Sequence, residues 1–268
     1  MSIVEQIQAK KIYVGDPHQS IYGFRGTLNA MQFAQKQFYL SNTFRYSQEI
    51  ADIASDVLQE YKAEKKRIKS SAINPNEDRT HAYLCRNNST MIEIINEFEE
   101  EGVYYKTIRD PKDIFSVAIN ILEFRINKVR PTDTKFSYFK NFDNINDLQM
   151  YIEESNDREL ATAFRMQQIY GKRLYPLMIG AKKKFNSKEE CDIFLTSAHI
   201  SKGLEWGSVT IKNDFPNIDN LLERNKISSP EELQKLEREN SIFAHEVIQE
   251  INLLYVAITR AKHTVEFE

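Results

Sequence analysis

Apolar residues recur along the chain with two periods, and the alternation of these periods predicts an α/β fold. Residues 47–61 place apolar side chains every three or four positions, which is the spacing of one buried helical face. Residues 81–85 and 104–108 read as short strands, and between them lies a helix capped by Ser89 and ended by Gly102. Such alternation is typical of a parallel sheet with helices on both faces.

Helical periodicity dominates from residue 111 to residue 184, so we predict a mostly helical insertion in the sheet pattern. Its helices are predicted at residues 114–126, 145–154, 158–170 and 174–185. The strand pattern returns at residues 193–196 and 209–212, and a final helix at 247–261 leads into a strand at 264–267. Shorter signals predict a helix fragment at 3–7, strands at 11–15 and 37–40, a helix at 27–35, and an exposed helix or excursion at 220–240.

The composition is that of a globular protein, with 41% hydrophobic and 28% charged residues, and no apolar run approaches the ~20 residues that span a bilayer. The first residues carry an acid and too short an apolar stretch for a secretory signal. Cys85 and Cys191 have no paired spacing, which argues against a disulfide scaffold or a metal site and favours the cytoplasm. The net charge of −3 restricts any contact with DNA to a local groove.

The segment EINLLYVAITRAK, residues 250–262, holds the first candidate chemistry. It places Arg260 on an apolar helical run, directly after a threonine. A cation fixed on a packed helix stabilises the charge that develops on a transferring phosphoryl group. Taken alone, the segment also fits a core helix whose basic last residues favour the helix dipole.

A second segment, VGDPHQSIYGFRG at residues 14–26, places several binding side chains where a predicted strand ends. Ligands of parallel sheets collect at the carboxyl ends of strands. Gln19 can orient a water molecule or contact a phosphate. Tyr22 and Phe24 offer faces on which bases stack, and Arg25 can pair with a backbone phosphate. Each residue by itself also fits a tight turn with packed aromatic side chains.

With two further segments, these strings resemble the motifs of the UvrD/Rep family of superfamily 1 DNA helicases. VGDPHQSIYGFRG resembles motif III, NTFRYS (residues 42–47) motif IV, LTSAHISKGLEW (residues 195–206) motif V and LLYVAITRAK motif VI. The four motifs occur in order over nearly the whole chain, which makes the resemblance highly specific. Residues 157–185 resemble the insert of the F-box DNA helicase branch, although the 268 residues show no F-box and the likeness is to the helicase core.

The resemblance implies a role for each motif residue. The catalytic residues that it implies, at the phosphates of ATP, are Gln19, Arg45 and Arg260. Those implied elsewhere in the ATP site are Phe44 near the adenine, Glu205 at the ribose, and Gly203. Those implied at single-stranded DNA are Tyr22, Phe24, Arg25, His199, Ser201 and Lys202. The family resemblance further implies RecA-like motor domains, 3′ to 5′ movement and a part in DNA repair.

The sequence lacks the motifs that hold the phosphates and the metal ion in such a motor. Neither the Walker A pattern GxxxxGK[ST] nor an acidic Walker B strand near the N-terminus occurs. In the resembled family, the chain would start at the helix after Walker B. We therefore expect residues 1–36 to end a first RecA-like motor domain, residues 37–110 and 186–268 to form the second, and residues 111–185 to be the helical insertion.

Two functions fit this sequence. The first is the C-terminal part of an ATP-dependent DNA helicase, inactive alone, which uses ATP and Mg²⁺ only in an assembly that supplies the Walker motifs. Its partners would be single-stranded DNA and either a missing N-terminal motor domain or a partner ATPase subunit, with no membrane. The alternative is a non-catalytic module that binds DNA or a partner protein. The first function also predicts exposed apolar side chains where the other motor domain packs.

Overall fold

The computed structural model describes residues 6–23, 36, 38–72, 78–155, 157–239 and 241–268. The helices in this part of the chain are α1 (Gln48–Lys62), α2 (Asn88–Glu101), α3 (Pro111–Asn127), α4 (Ile145–Ser155), α5 (Arg158–Tyr170), α6 (Leu174–Asn186), α7 (Ile218–Arg224), α8 (Pro230–Arg238) and α9 (Ile242–Ile258). The strands are β1 (Asn42–Thr43), β2 (Lys69–Ser70), β3 (His81–Cys85), β4 (Lys106–Thr107), β5 (Ile193–Ser197), β6 (Trp206–Ile211) and β7 (Ala261–Phe267). Short 3₁₀ helices lie at Pro17–Gln19, Thr134–Asn141 and Gly171–Arg173.

Five parallel strands form the sheet of one compact unit, which comprises Asn74–Phe215 and Arg260–Glu268. The strand order is β4–β5–β3–β6–β7, so β3 lies at the centre with β5 and β6 as its neighbours. Ala82, Leu84 and Cys85 on β3 are fully buried, as expected for a strand covered by other elements. The predicted α/β class with a parallel sheet is confirmed.

Helices α2 to α6 belong to the same unit and share one apolar core with β5. Phe115, Phe139 and Leu174 have no exposed surface and join α3, a 3₁₀ helix and α6 in this core. Helices α3 to α6 are the four predicted for the insertion, and their ends lie within three residues of the predicted ends. The insertion thus folds together with the sheet.

The second compact unit comprises Met1–Ile73 and Pro216–Thr259 and is mostly helical in the part that the structure describes. Its central helix, α9, packs against α1, α7 and α8. Strands β1 and β2 form a separate parallel pair in this unit. The predicted excursion at residues 220–240 is two helices that bury Ile218 and Leu233.

Several predicted elements differ from the structure. Residues 11–15 and 38–40 are not strands, because no described segment pairs with them, and Val14 is 80% exposed. Ser89 is buried inside α2, and the N-cap residue is Asn87, whereas Gly102 does end this helix at a φ of 69°. The helix predicted at residues 27–35 lies outside the described residues.

The compact units and the predicted motor domains divide the chain differently. Residues 1–36 and 37–73 fall into one unit, although the resemblance assigns them to two domains. The compact units reflect which segments pack together in this structure. The predicted boundaries instead follow the resemblance of the motifs to those of a longer motor protein. Those boundaries stay a prediction.

Candidate functional site

The loop that holds Gln19 is organised by the carboxylate of Asp16. The Oδ1 atom accepts a hydrogen bond from the backbone N–H of His18 at 2.9 Å and so caps the 3₁₀ turn. The Oδ2 atom accepts from Gln19 Nε2 at 2.9 Å and from the Tyr255 hydroxyl at 3.1 Å. One carboxylate therefore fixes both the backbone of the loop and the amide of the predicted site residue.

One face of α9 carries this loop. Tyr255 contacts Asp16, and Asn252, one turn earlier, donates from Nδ2 to the Ser20 carbonyl at 2.9 Å. The Asn252 Oδ1 atom in turn accepts from Lys62 Nζ at 2.8 Å, and burial lowers the pKa of Lys62. Residues three apart on a helix share a face, so the motif VI helix is the support of the motif III loop.

The motif IV segment comprises β1 and the residues that lead into α1, and it reaches the same helix α9. Phe44 is 74% exposed, so its ring is accessible to a ligand. The Arg45 guanidinium lies 5.2 Å from the centre of the Tyr46 ring. Tyr46 is buried and shares a hydrogen bond with Tyr255, and burial raises the pKa of Tyr46. Tyr255 thus contacts both the motif III loop and the motif IV segment.

Gln19 and Arg45 line one cleft of about 1710 Å³ in this unit. The lysines and arginines that line it are Lys10, Lys11, Lys36, Arg45, Lys66 and Arg67. The acids that line it are Asp16 and Glu64. The cleft is therefore basic, although the whole chain has a net charge of −3.

The compact unit with the five-stranded sheet is called the sheet unit below. In it, residues 198–205 connect β5 to β6 and contain the predicted motif V residues. Ser201 is fully buried, and its hydroxyl donates to the Ala198 carbonyl at 2.7 Å. Gly203 has a φ of +90°, a conformation that side chains disfavour. His199 is partly exposed and Lys202 is exposed. Of the DNA residues predicted in this segment, two reach the surface, whereas Ser201 shapes the turn.

The placement of Arg260 differs from the prediction. Helix α9 ends at Ile258, so Arg260 lies in the two-residue turn before β7 and not on the helix. At this helix end the Thr259 hydroxyl donates to the carbonyls of Tyr255 and Val256. Arg260 is 1% exposed, and its Nη1 donates to the Leu204 carbonyl at 3.0 Å. Arg260 is therefore tied to the motif V segment.

Lys262 holds two acids in the same unit. Its Nζ atom lies 2.8 Å from Asp78 Oδ2 and 3.3 Å from Glu205 Oε1. Burial alone would raise the pKa of Asp78, but hydrogen bonds from Lys262 and Thr80 outweigh it and lower that pKa to about 2. The hydrogen bond to Asp78 likewise raises the pKa of Lys262. The predicted ribose residue Glu205 is thus oriented by a lysine.

The remaining predicted residues are Tyr22, which is partly exposed, and Phe24 and Arg25, which lie outside the described residues. Sequence reasoning missed Tyr255 and Lys262, because a tyrosine in an apolar helix reads as core and a lysine at the end of motif VI reads as surface. In the described ranges, no group of three or more His, Cys, Asp or Glu side chains is placed to hold a metal ion. No helix there is long and apolar enough to cross a membrane.

The fold and these segments define a helicase-type α/β domain. The sequence profile of the UvrD-like helicase C-terminal domain matches residues 112–266, which is more than half of the chain. The chain belongs to the UvrD-like helicase C-terminal domain family, so the predicted resemblance is confirmed.

Two curated relatives are similar over most of this chain, and both are of the predicted F-box branch. F-box DNA helicase protein 1 of Schizosaccharomyces pombe is 28% identical over 296 aligned positions, which cover 97% of this chain and 31% of that protein. F-box DNA helicase 1 of Gallus gallus is 25% identical over 272 positions, covering 94% of this chain and 26% of that protein. The chain spans about a third or less of the length of these relatives.

Proposed function

We propose that this chain is the C-terminal motor part of an ATP-dependent DNA helicase. The observation that carries the proposal is the basic cleft that Gln19 and Arg45 line together. These two residues come from different motifs, and their amide and guanidinium groups suit a phosphate and its attacking water. A cleft rich in cations within an acidic chain favours a polyanionic ligand such as a nucleoside triphosphate.

Each of these side chains is assigned to a different part of ATP. Arg45 offers a fixed cation to the γ-phosphate, and Gln19, which is hydrogen-bonded to Asp16, orients the attacking water. Phe44 is exposed and offers its face to the adenine. For Arg260 and Glu205 we propose the γ-phosphate and ribose roles that the motif resemblance implies. Because the sequence has no Walker motifs, the residues present do not fit Mg²⁺, and its ligands must come from another domain or subunit.

Exposed apolar side chains support a requirement for such a domain. The mostly helical unit exposes several of them, among them Ile12, Val14, Phe38, Leu40 and Phe44. Most monomeric proteins cover apolar residues that are grouped in this way, so we propose that the domain with the Walker motifs packs here. The assembled motor would move 3′ to 5′ along single-stranded DNA, with His199 and Lys202 among its contacts.

The test is ATP turnover by an assembly of this chain with a Walker domain. Arg45→Ala is expected to lower the turnover rate about 10³-fold or more, as the loss of an arginine finger does. Arg67→Ala is the matched control, since Arg67 lines the same cleft but pairs with Asp52 and Asp56. It is expected to change turnover less than about twofold.

Two results would contradict the proposal. The first is an equal loss of turnover in the Arg45 and Arg67 variants. The second is ATP hydrolysis by this chain alone that Arg260→Ala abolishes, because the chain would then hold a complete site. A chain that hydrolyses no ATP in any assembly would favour the non-catalytic module.

A further inference from the structure

Tyr255 occupies a position that none of the motif assignments explains. It lies on α9, is 5% exposed and is one of the residues that line the basic cleft. Its hydroxyl donates to Asp16 Oδ2, the same oxygen that accepts from Gln19. A hydroxyl in this position acts directly on the acceptor that holds the Gln19 amide.

The Tyr255 hydroxyl links two neighbours. It carries one proton and donates it to the Asp16 carboxylate, which can only accept. Tyr46 shares a further hydrogen bond with Tyr255. The ring of Tyr46 in turn lies under the Arg45 guanidinium. A continuous path therefore runs from Arg45 through Tyr46, Tyr255 and Asp16 to Gln19.

The electrostatics keep this path in one protonation state. Burial, and next the negative charge of Asp16, raise the pKa of Tyr255, so its proton stays on the hydroxyl at any physiological pH. The backbone also takes part, since the Tyr255 carbonyl accepts from the Thr259 hydroxyl at 2.9 Å, directly before Arg260. Through its side chain and its backbone carbonyl, this one residue thus joins elements of motifs III, IV and VI.

We propose that Tyr255 is a positioning residue that holds the Gln19 amide, through Asp16, in a fixed position relative to the Arg45 guanidinium. The inference rests on the proposed function and deepens it, because this relative position matters only if Gln19 and Arg45 act on one phosphate. A change at Arg45 that moves Tyr46 would reach Gln19 without a contact between the two residues. The hydroxyl, not the ring, is the essential group.

The first experiment examines the network in this chain without any nucleotide. Tyr255→Phe keeps the ring and removes the hydroxyl, and the side-chain amide resonances of Gln19, assigned by their loss in Gln19→Ala, report the effect. Tyr61→Phe is the matched control, because Tyr61 also hydrogen-bonds an aspartate, Asp219, in the same unit. We expect Tyr255→Phe to shift the Gln19 amide resonances and Tyr61→Phe to leave them unchanged, while both lower the melting temperature by about 2–4 °C.

The second experiment measures ATP turnover in the assembly with a Walker domain. Tyr255→Phe is expected to lower kcat about tenfold with little change in the KM for ATP, since a misplaced group affects chemistry more than binding. In Gln19→Ala, where the amide is already absent, adding Tyr255→Phe should cost much less than tenfold. A purely structural role would give additive losses.

The outcomes separate the two proposals. Unchanged Gln19 resonances in Tyr255→Phe, or equal shifts in Tyr61→Phe, overturn the positioning role whatever the ATPase result. Additive losses in the double variant also overturn it. If the resonances respond as expected but no assembly hydrolyses ATP, the network stands and the proposed function fails.

Discussion

In the sheet unit, one glycine allows two backbone segments to lie closer together than any residue with a side chain would allow. Gly207 lies in β6, where a Cβ atom would come within 2.0 Å of the Asp78 carbonyl oxygen. Its backbone N–H donates to the Thr80 hydroxyl at 3.1 Å, so the two segments are held in direct contact. The pairing of β6 with β7 is also irregular between Trp206 and Ser208. A glycine here allows the chain before β3 to approach β6 through its backbone.

Gly207→Ala is therefore expected to destabilise the protein strongly. The methyl group forces the Asp78 backbone away, and loss of that contact should cost about 2–4 kcal/mol in the free energy of unfolding. Gly180→Ala is the control, because its Cβ would meet no backbone atom and only the Glu99 carboxylate at 3.2 Å, which Tyr105 and Lys184 hold. That control should change stability by less than about 1 kcal/mol, because the alanine that α6 gains offsets a small shift of this carboxylate. Urea unfolding midpoints measure both, and equal midpoints for the two variants would contradict the close approach.

The identity of the motif residues could be read from the sequence, but their placement could not. Arg260 follows a run of apolar residues that continues the helical period, and nothing in that run marks the end of the helix at Ile258. The end depends on the pairing of β7 with β6, which joins residues about 55 positions apart and is not a local property. Ser201 is a similar case, since a polar residue in a loop reads as exposed but bonds the Ala198 carbonyl.

At the scale of elements, Lys262 connects β7 with the segments before β3 and β6. The lysine pairs with Asp78 and Glu205, whose side chains are 25% and 42% exposed. Partly buried pairs of this kind contribute more than surface pairs, because water competes less for the charges. The lowered pKa of Asp78 is the measurable sign of this contribution.

We expect the contribution of Lys262 to depend on pH in a defined direction. The pKa of Asp78 is about 2 in the folded protein and 3.8 ordinarily, so its stabilisation is full above about pH 5 and is lost as the pH falls towards 2. Lys262→Met should destabilise by about 1–2 kcal/mol near neutral pH, and this difference should shrink between about pH 4 and pH 2. Denaturant unfolding over that pH range checks it.

The control for this experiment is Lys235→Met. Lys235 pairs with Glu239 at 4.0 Å, and both side chains are more than half exposed. Its replacement should change stability by less than about 0.5 kcal/mol at every pH. A loss in Lys262→Met that does not vary with pH would mean that packing, not the ion pair, is responsible.

Elements long enough to repeat their apolar pattern could be predicted from the sequence, whereas shorter elements could not. The helices of the insertion and β3 follow their predicted bounds closely, because their apolar faces are long enough to define one period. Residues 11–15 look like a strand in sequence, but a strand needs a partner for its backbone, and pairing is not a local property. The support of the motif III loop by α9 is likewise decided by contacts between residues more than 200 positions apart.

At the scale of the whole molecule, the net charge limits how the chain meets DNA. A charge of −3 gives no general attraction for a phosphate backbone, so binding must rest on a few cations and on stacking. Lys202 is exposed at the motif V turn, so its charge is accessible for the DNA contact proposed above.

We expect this chain to bind single-stranded DNA weakly and with a clear dependence on salt. Lys202→Ala should lower the slope of log K against log salt by about 0.7, the value for one phosphate contact on a single strand. Phe24→Ala should weaken binding by about 1–3 kcal/mol without changing the slope, since stacking is uncharged. Lys235→Ala is the control. Fluorescence anisotropy with an oligothymidine decides the matter, and tight binding that neither variant alters would contradict the assignment.

The connection between β5 and β6 limits how the chain can vary in length. Both strands run parallel to β3 and lie on opposite sides of it, so residues 198–205 must return along the sheet from the end of one strand to the start of the other. That path is about 22 Å, whereas nine residue steps reach at most about 30 Å, and part of this length is spent on the Gly203 turn. Deleting two residues would leave seven steps, whose reach of about 23–25 Å barely exceeds this path, so deletions among homologous chains should fall outside the segment.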